Sequence, residues 1–443
     1  MKMKRIAAAG LTAVMAASVL TACGGATSSS SGSTGTSSSG STGTSSSGST
    51  ASGEQVTLKV SLWDATSNPA DLAAIEAFEA ANPDIKIDLI DIPSNDYNTK
   101  LNTMLNGGSQ LDVFFIKQAD STKSFYDKGQ LLDLTDYIAE SGVDLSGFNG
   151  TADGFAFNGK QYGLPVRTDY YVLYYNKDLF DAKGIAYPSN DMTWTEFEKL
   201  AGELSGDGNY GAYMHTWQAM AYNWGIQDGK NTVLSYETGY DFVKPYYEML
   251  LRMQDAGYIQ DYGQLKSGNI HYSGAFAQGN VAMMPMGTWF LGTMKSKVES
   301  GEAKFNWGVA TLPHPDGVEA GYTVGASTPL AINSATKNAD AAWRFVEFMT
   351  GEEGSAVYAK EGYIPARSDS TILDTVAANE GMPEGLAEAL QTKNIVPDRP
   401  IADHVGDVDL VLGEQHSMIM LGEATIDDAL ADLTSQVKDI MEG

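Results

Sequence analysis

Alternation of apolar and polar residues after position 54 predicts a regular succession of strands and helices. Val56 to Trp63 has the two-residue period of a half-buried strand. Asn68-Pro69 follows as a helix cap and first turn, and apolar residues recur at helical spacing from Leu72. The pattern then predicts a strand at 85–89, a helix near 97–105 that stops at Gly107-Gly108, and a wholly apolar strand at 111–116. This order indicates a parallel α/β sheet with right-handed crossovers.

Polar and aromatic residues stand where these predicted strands end. In open parallel sheets, ligands bind beyond the carboxyl ends of the strands. We therefore expect binding residues in three segments, which are Trp63-Asp64, Lys117-Gln118-Ala119-Asp120 and Arg167-Thr168-Asp169.

The strand and helix pattern restarts in the second half and predicts a second α/β lobe. The predicted strands are 170–175, 281–286, 307–312 and 322–332, and the predicted helices are 195–204, 240–256, 338–350 and a short one that reaches Gly362. The tail from Met382 to Met441 is predicted to be helical. A folded part this long exceeds what one hydrophobic core normally holds, so two lobes are expected.

Residues 1–53 are predicted to be a leader and a tether. Basic residues precede a short apolar run, and Leu20-Thr21-Ala22-Cys23 has the form of a lipoprotein signal. We expect removal of residues 1–22, a diacylglycerol on Cys23, and a flexible Ser/Gly/Thr-rich tether over 23–53. These features predict a chain anchored on the extracytoplasmic face of the cell membrane, of the type found on Gram-positive cell surfaces.

Composition excludes several classes of function. Cys23 is the only cysteine, so disulfides, cysteine zinc sites and thiol nucleophiles are excluded from the folded part. The sequence has neither a His-Glu-x-x-His nor a Gly-x-Ser-x-Gly motif there, and we predict no catalytic residue, metal or cofactor. The net charge of −28 makes nucleic acid an unsuitable partner, and it favours a soluble exported protein that we expect to be a monomer.

One motif carries a family resemblance. Residues 274–289, Gly-Ala-Phe-Ala-Gln-Gly-Asn-Val-Ala-Met-Met-Pro-Met-Gly-Thr-Trp, resemble the A-F-x-x-G-x-x-A-M…G-x-W signature of the extracellular solute-binding proteins of family 1. Shorter segments follow in the order typical of that family, at 163–165, 174–180, 193–197, 348–354 and 364–367. Family 1 proteins are the receptors of ABC sugar importers, and maltose-binding protein is the best-known member.

The resemblance implies a two-lobed, periplasmic-binding-protein-like fold of type II with a hinged cleft between its lobes. It places lobe one at 54–167 plus 312–363 and lobe two at 168–311 plus 364–443. It also implies capture of an oligosaccharide by closure of the lobes, and its delivery to ABC permease subunits.

Sugar sites need planar aromatic rings for the C–H face of the sugar, and carboxylates, amides or guanidiniums for its hydroxyls. Trp289 matches the family tryptophan that stacks on ligand, and Trp63, Trp217 and Trp224 are further candidates. The remaining candidates are Gly287 in the signature, Gly325 and Ser327 on the strand at 322–332, and Arg367 where the chain returns through the hinge. We expect Trp194, Trp307 and Trp343 to serve packing instead.

Asp169 is the first carboxylate candidate. It precedes Asn176 by the offset at which maltose-binding protein has a ligand-binding carboxylate. Asp120 matches a second one, with helix capping as its alternative role. Gln118 and Arg167 could add amide and guanidinium donors. Where maltose-binding protein has an aromatic residue after the third strand, this chain has Ile116-Lys117, so the resemblance does not imply maltose.

Three other functions stay open at this point. A surface glycoside hydrolase needs only a pair of carboxylates, which so acidic a chain can supply anywhere. A passive polysaccharide-binding surface protein would use the same tether. A family member could also take a polyol, a glycerol phosphate or iron, although a strongly anionic ligand calls for clustered Arg or Lys.

Overall fold

The structure is a computed structural model that describes residues 55–108, 110–148 and 150–443, except for the side chain of Ser67. The predicted signal peptide at 1–22, the lipidation site Cys23 and the tether at 23–53 lie outside these residues. Among the residues described, none of the helices combines the length and the apolarity that would let it cross a bilayer.

Most strands belong to one mixed sheet. The strands of the described residues are β1 (Val56–Trp63), β2 (Ile85–Ile92), β3 (Val113–Phe115), β4 (Ala156–Phe157), β5 (Lys160–Gln161), β6 (Leu164–Asn176), β7 (Tyr210–Ala212), β8 (Val281–Gly287), β9 (Trp307–Thr311), β10 (Tyr322–Ile332) and β11 (Asn394–Pro397). The main sheet runs β2-β1-β3-β10-β6-β8-β7, with β9 paired to β6 and β11 paired to β10. β4 and β5 form a separate hairpin.

Helices cover the faces of this sheet. They are α1 (Pro69–Ala81), α2 (Tyr97–Asn106), α3 (Ser121–Asp127), α4 (Thr135–Ser141), α5 (Lys177–Lys183), α6 (Trp194–Leu204), α7 (Ala219–Ile226), α8 (Lys244–Asp255), α9 (Tyr262–Ser267), α10 (Tyr272–Ala277), α11 (Phe290–Glu299), α12 (Ala339–Thr350), α13 (Glu352–Lys360), α14 (Ser370–Ala377), α15 (Leu386–Ala389), α16 (Val405–Met420) and α17 (Ile426–Glu442). Local chemistry explains several helix starts. At α6, for example, Thr193 and Glu196 form a capping box.

The expectation of a purely parallel sheet is wrong in part. β1 pairs in parallel with β2 and β3, as the β-α-β-α-β order predicted. β10, however, runs antiparallel to both β3 and β6, and β6 runs antiparallel to β8 and β9. The cause is that the chain returns through the centre of the sheet instead of adding each new strand at an edge.

Two long strands connect two hydrophobic cores. The first core draws mainly on residues 58–166 and 330–366, and the second core mainly on 170–324 and 364–437. β6 contributes Leu164 and Val166 to the first core and Tyr171 and Leu173 to the second. β10 likewise changes from the second core to the first along its length. The exact boundaries of the two lobes stay a prediction.

Two further expectations need correction. Arg167-Thr168-Asp169 was expected at a strand end, but it lies in the middle of β6, which is buried throughout its 13 residues. The strand was missed there because three polar residues interrupt the apolar pattern. The tail after Met382 is not continuously helical. It contains β11, whose backbone pairs with Tyr322–Gly325 of β10, and a strand of four residues gives too short a pattern to recognise.

Candidate functional site

The middle of β6 and β10 forms the floor of the candidate site. In this antiparallel pair, Thr168 lies opposite Ser327, and their hydroxyl oxygens are 2.9 Å apart. Asp169 lies opposite Ala326, and Tyr170 opposite Gly325. A Cβ at Gly325 would lie 2.4 Å from the carbonyl oxygen of Asp169, so the close approach of the strands requires glycine here. The structure thus brings together four residues that the sequence predicted for the site, namely Thr168, Asp169, Gly325 and Ser327.

Charges on this floor are buried and paired. Arg167 is 4 % exposed, and its Nε lies 3.3 Å from Oδ2 of Asp169. Its Nη1 donates to Oδ2 of the fully buried Asp71 at 3.3 Å. The hydroxyl of Thr288 donates to Oδ1 of Asp169 at 2.9 Å. Burial raises the pKa of Asp169, while the Arg167 guanidinium and the Thr288 hydroxyl oppose that rise. Arg167 therefore lies below the cleft surface, as part of a charge network.

Tyr171, Trp217, Tyr272 and Trp289 form an aromatic wall on the second core. Trp289 follows β8 and lies directly before α11, and its ring meets Tyr171 edge-on at 5.4 Å and Trp217 at 6.3 Å. Trp217 in turn packs against Tyr272 at 5.7 Å. A Cβ at Gly287 would lie 2.0 Å from the Trp289 ring, so Gly287 makes room for that ring. Trp289 and Trp217 remain half-buried, which leaves ring surface for contact with a ligand.

Trp63 and Asp64 lie at the end of β1, where Trp63 packs against the first core. The Trp63 ring lies 5.2 Å from Tyr97, and the Arg167 guanidinium lies 5.4 Å from the Trp63 ring centre. Asp64 has a left-handed backbone (φ 47°), and its Oδ1 accepts a hydrogen bond from the Ser94 amide at 2.9 Å. Burial raises the pKa of Tyr272, and the charge of Asp64 contributes to that rise. Asp64 is therefore within electrostatic reach of the aromatic wall.

A polar pocket adjoins the floor. It encloses about 90 Å³ and is lined by Lys117, Gln118, Ala119, Asp120, Ala326, Asp398, Arg399 and Asp409. Asp120 is 6 % exposed and directly precedes α3, yet within the described residues its side chain makes no capping hydrogen bond to that helix. The capping alternative therefore has no support in the structure. Gln118 lies beside it and accepts a hydrogen bond from Asn98.

Only one carboxylate of this pocket has a close arginine partner. Nε of Arg399 donates to Oδ1 of Asp409 at 2.8 Å, and Gln218 donates to the same oxygen at 2.9 Å. Burial raises the pKa of Asp120 to about 6, helped by the charges of Asp398 and Asp409 and opposed by Arg399. Burial also raises the pKa of Asp398 to about 6. Asp120 and Asp398 are thus pocket carboxylates with a raised pKa and without an ion pair among the described residues.

Asp398, Arg399 and Asp409 were not predicted from the sequence as site residues. All three follow β11, in the tail that was predicted to be helical. A usable signal was present, because Pro397 and Pro400 enclose Asp398-Arg399, and prolines at this spacing interrupt a helix.

Two predicted site residues make contacts with the cores. Trp224 is fully buried in the second core, where it packs on Trp194 at 4.6 Å and on Tyr171 at 5.3 Å. It therefore supports the aromatic wall from behind. Arg367 donates to the carbonyl oxygen of Asp144 at 2.8 Å and covers the Phe148 ring at 4.9 Å, so it fastens a loop of the first core.

The tryptophans assigned to packing are buried. Trp194, Trp307 and Trp343 are 4 %, 6 % and 4 % exposed. That expectation is confirmed.

Comparison with known proteins identifies the class. The model for bacterial extracellular solute-binding proteins matches residues 64–356. A sugar transporter of Rhizobium etli, solved in an open conformation, superposes with a TM-score of 0.74 at 38 % identity, over 86 % of this chain and 99 % of that one. A substrate-binding protein of Listeria monocytogenes in complex with cycloalternan superposes with a TM-score of 0.76 at 24 % identity, over 88 % and 99 % of the two chains. The fold is that of a two-lobed solute-binding protein, as predicted.

The chain belongs to the bacterial extracellular solute-binding protein family. A putative binding protein of Brucella abortus is 26 % identical over 414 residues, which cover 88 % of this chain and 94 % of that protein. A maltooligosaccharide ABC transporter solute-binding lipoprotein of Streptococcus pneumoniae is 29 % identical over 235 residues, or 48 % of this chain and 51 % of that protein. The family includes sugar-binding components of ABC transporters, and both relatives are named as binding proteins.

The pocket carboxylates predict how stability depends on pH. The folded state holds a proton on Asp120 and Asp398 up to about pH 6, whereas the ordinary pKa is 3.8. Their stabilising contribution is therefore present at low pH and is lost as the pH rises through about 6. We expect Asp120→Asn and Asp398→Asn each to raise the free energy of unfolding at pH 8 by about 1–2 kcal/mol and to change it little at pH 4.

Urea unfolding at the two pH values measures this difference. Asp409→Asn is the matched control, because it breaks the contact with Arg399 and should destabilise the protein at pH 8. Destabilisation at pH 8 by all three substitutions would contradict the assignment of Asp120 and Asp398 as carboxylates held at an electrostatic cost.

Proposed function

We propose that this chain is the lipid-anchored substrate-binding component of an ABC importer, which captures an oligosaccharide between its two lobes and delivers it to the permease. The observation that carries this proposal is the pairing of two surfaces around one floor. Half-buried rings of Trp289 and Trp217 stand on one side, and the carboxylates of Asp120 and Asp398 line the adjoining pocket.

The chemistry of these surfaces matches both parts of a sugar. The apolar C–H face of a pyranose ring stacks on an indole, and Trp289 offers one beside Tyr171 and Trp217. The hydroxyls at the rim of the sugar donate hydrogen bonds, and Asp169, Asp120 and Asp398 supply acceptors. Hydrogen bonds to ionised carboxylates are roughly twice as strong as neutral ones. A neutral polyhydroxyl ligand therefore satisfies groups that otherwise remain desolvated in the closed cleft.

The extent of the candidate surface favours an oligosaccharide over a single sugar ring. The candidate side chains belong to three groups, namely Trp63 with Asp64, the aromatic wall, and the polar pocket, and so they offer contacts to more than one ring. The names of similar proteins support this choice, since one is a maltooligosaccharide receptor and another was solved with cycloalternan. The pocket has two cations, but Arg399 is held by Asp409 and Lys117 donates to the carbonyl and the hydroxyl of Ser94. Together with three carboxylates in the lining, this arrangement does not favour an anionic ligand.

Titration with a panel of oligosaccharides tests this function directly. We expect one of the manno-, xylo-, malto- or galacto-oligosaccharide series to bind in calorimetry, and small-angle scattering to show compaction of a monomer at saturation. New reducing ends would show hydrolysis and overturn the receptor proposal. Binding without compaction would favour a passive surface protein, and binding of glycerol 3-phosphate alone would overturn the assignment of a neutral sugar.

Trp289 is the residue whose loss should weaken sugar binding most. Removal of a stacking ring from a well-packed contact typically costs about 2–3 kcal/mol of binding free energy. We expect Trp289→Ala to show this loss in calorimetry with the oligosaccharide that binds best in the panel. Tyr187→Ala is the matched control, since Tyr187 is an exposed aromatic that packs on Tyr175 and Phe180. Equal affinities of the two variants would remove Trp289 from the binding surface.

The anchor follows from the sequence before residue 54. We propose that Cys23 carries the lipid and that residues 23–53 tether the receptor to the extracytoplasmic face of a Gram-positive cell membrane. Cys23→Ala removes the only thiol that can accept the diacylglycerol. We expect this variant to leave the membrane fraction and to appear in the culture medium, as an immunoblot of the two fractions would show. Retention of the variant in the membrane at the wild-type level would contradict the proposed anchor.

A further inference from the structure

A buried network of polar groups connects the two cores beneath the floor. It begins at Asp71 of α1, which is fully buried. The carboxylate of Asp71 accepts hydrogen bonds from the Tyr358 hydroxyl of α13, from the Asn68 amide and from Nη1 of Arg167. These three donors fix the Asp71 carboxylate, and Asp71 in turn holds one end of the Arg167 guanidinium.

Arg167 is the residue of this network that contacts groups on both sides. Its guanidinium lies 5.4 Å from the centre of the Trp63 ring, on the side of the first core. Its Nε lies 3.3 Å from Oδ2 of Asp169, without a hydrogen-bond partner among the described residues. A planar guanidinium with these neighbours cannot rotate without losing Asp71 or moving away from the indole.

The polar network continues from Asp169 to the start of α11. Thr288 donates its hydroxyl to Asp169 at 2.9 Å, and its backbone amide donates to the Tyr170 carbonyl at 2.9 Å. The Tyr170 amide in turn donates to the Thr288 hydroxyl at 3.3 Å. Thr288 is fully buried and is followed directly by Trp289. The backbone that carries the stacking tryptophan is thus attached to Asp169.

We propose that Arg167 is a positioning residue that, held by Asp71, orients Trp63 directly and orients Trp289 through Asp169 and Thr288. This inference rests on the proposed function, in which these two tryptophans contact the sugar. Arg167 itself does not touch the ligand. The orientations of both stacking rings, Trp63 beside the first core and Trp289 beside the second, therefore depend on this single buried cation.

The charges of this polar network predict a pH dependence that a general packing role would not produce. Two carboxylates, Asp71 and Asp169, share one guanidinium. Burial raises the pKa of Asp169, Arg167 lowers it, and the charge of Asp71 raises it. The other titratable groups within reach of Asp169 are the phenols of Tyr170, Tyr174, Tyr272 and Tyr363, which stay neutral at acid pH. Removing Asp71 and removing Arg167 must therefore shift the titration of Asp169 in opposite directions.

The test uses fluorine NMR of the whole protein labelled with 5-fluorotryptophan, without sugar. Substitution of Trp63 and Trp289 by Phe assigns their two resonances. We expect Asp71→Asn, Arg167→Lys and Arg167→Met to move both resonances, and Thr288→Val to move that of Trp289 alone. Arg344→Met is the matched control. It removes an arginine that pairs with Asp84 on the surface, and it should leave both resonances in place.

The pH dependence of the Trp289 resonance completes the experiment. We expect its acid midpoint to fall in Asp71→Asn and to rise in Arg167→Met, with Arg167→Lys close to the wild type. A Trp289 resonance that does not respond to Asp71→Asn and Arg167→Lys, or midpoints that shift in the same direction, would overturn the inference. Because no sugar is present, such a failure is separate from failure of the proposed function, which calorimetry with the oligosaccharide panel would reveal.

Discussion

The antiparallel contact between β6 and β10 is the constraint on which the rest of this protein depends. Each strand supplies side chains to both cores, and the two lie so close at Gly325 that a methyl group there would meet the backbone of Asp169. The polar residues Arg167, Thr168 and Asp169 are therefore buried within the central ladder of the sheet and need partners. Ser327 is the partner of Thr168, Asp71 in the first core is a partner of Arg167, and Thr288 next to the aromatic wall is a partner of Asp169.

Burying these charges is costly, and the structure limits that cost by connecting them. An isolated carboxylate or guanidinium in an apolar interior would lose several kcal/mol of hydration, and removal of one partner from a buried pair typically costs about 3–5 kcal/mol. Among the described residues that line the pocket, Asp409 pairs with Arg399, which leaves Asp120 and Asp398 as the pocket carboxylates without an ion pair. The chemistry offered to a ligand is thus what remains after the buried charges have been matched.

Sequence patterns predicted elements well where one physical signal dominated. β1 alternates cleanly, and the predicted bounds of both β1 and β10 agree with the structure residue for residue. The first half of β6 escaped notice because its polar residues are buried by mutual pairing, which leaves no period of two. The tryptophans show a second limit. Trp289 and Trp224 differ in exposure because of neighbours distant in sequence, such as Tyr171 and Trp194. Asp398 and Asp409 likewise follow β11 in sequence, and the pairing of β11 with β10 was not visible in the sequence pattern.

The position of β11 has a consequence for the design of new receptors. This strand pairs with the first four residues of β10, and it overlaps the contact between β10 and β6 at Gly325 alone. Residues 397–409 carry three charged groups of the pocket, Asp398, Arg399 and Asp409, whereas Val405 and Val408 of the same segment are buried in the second core. Exchange of the three charged side chains alters the charge and shape of the pocket without removing a member of the Arg167 network. Variation in selectivity can therefore arise within one short segment, separately from the machinery that holds the two halves of the molecule together.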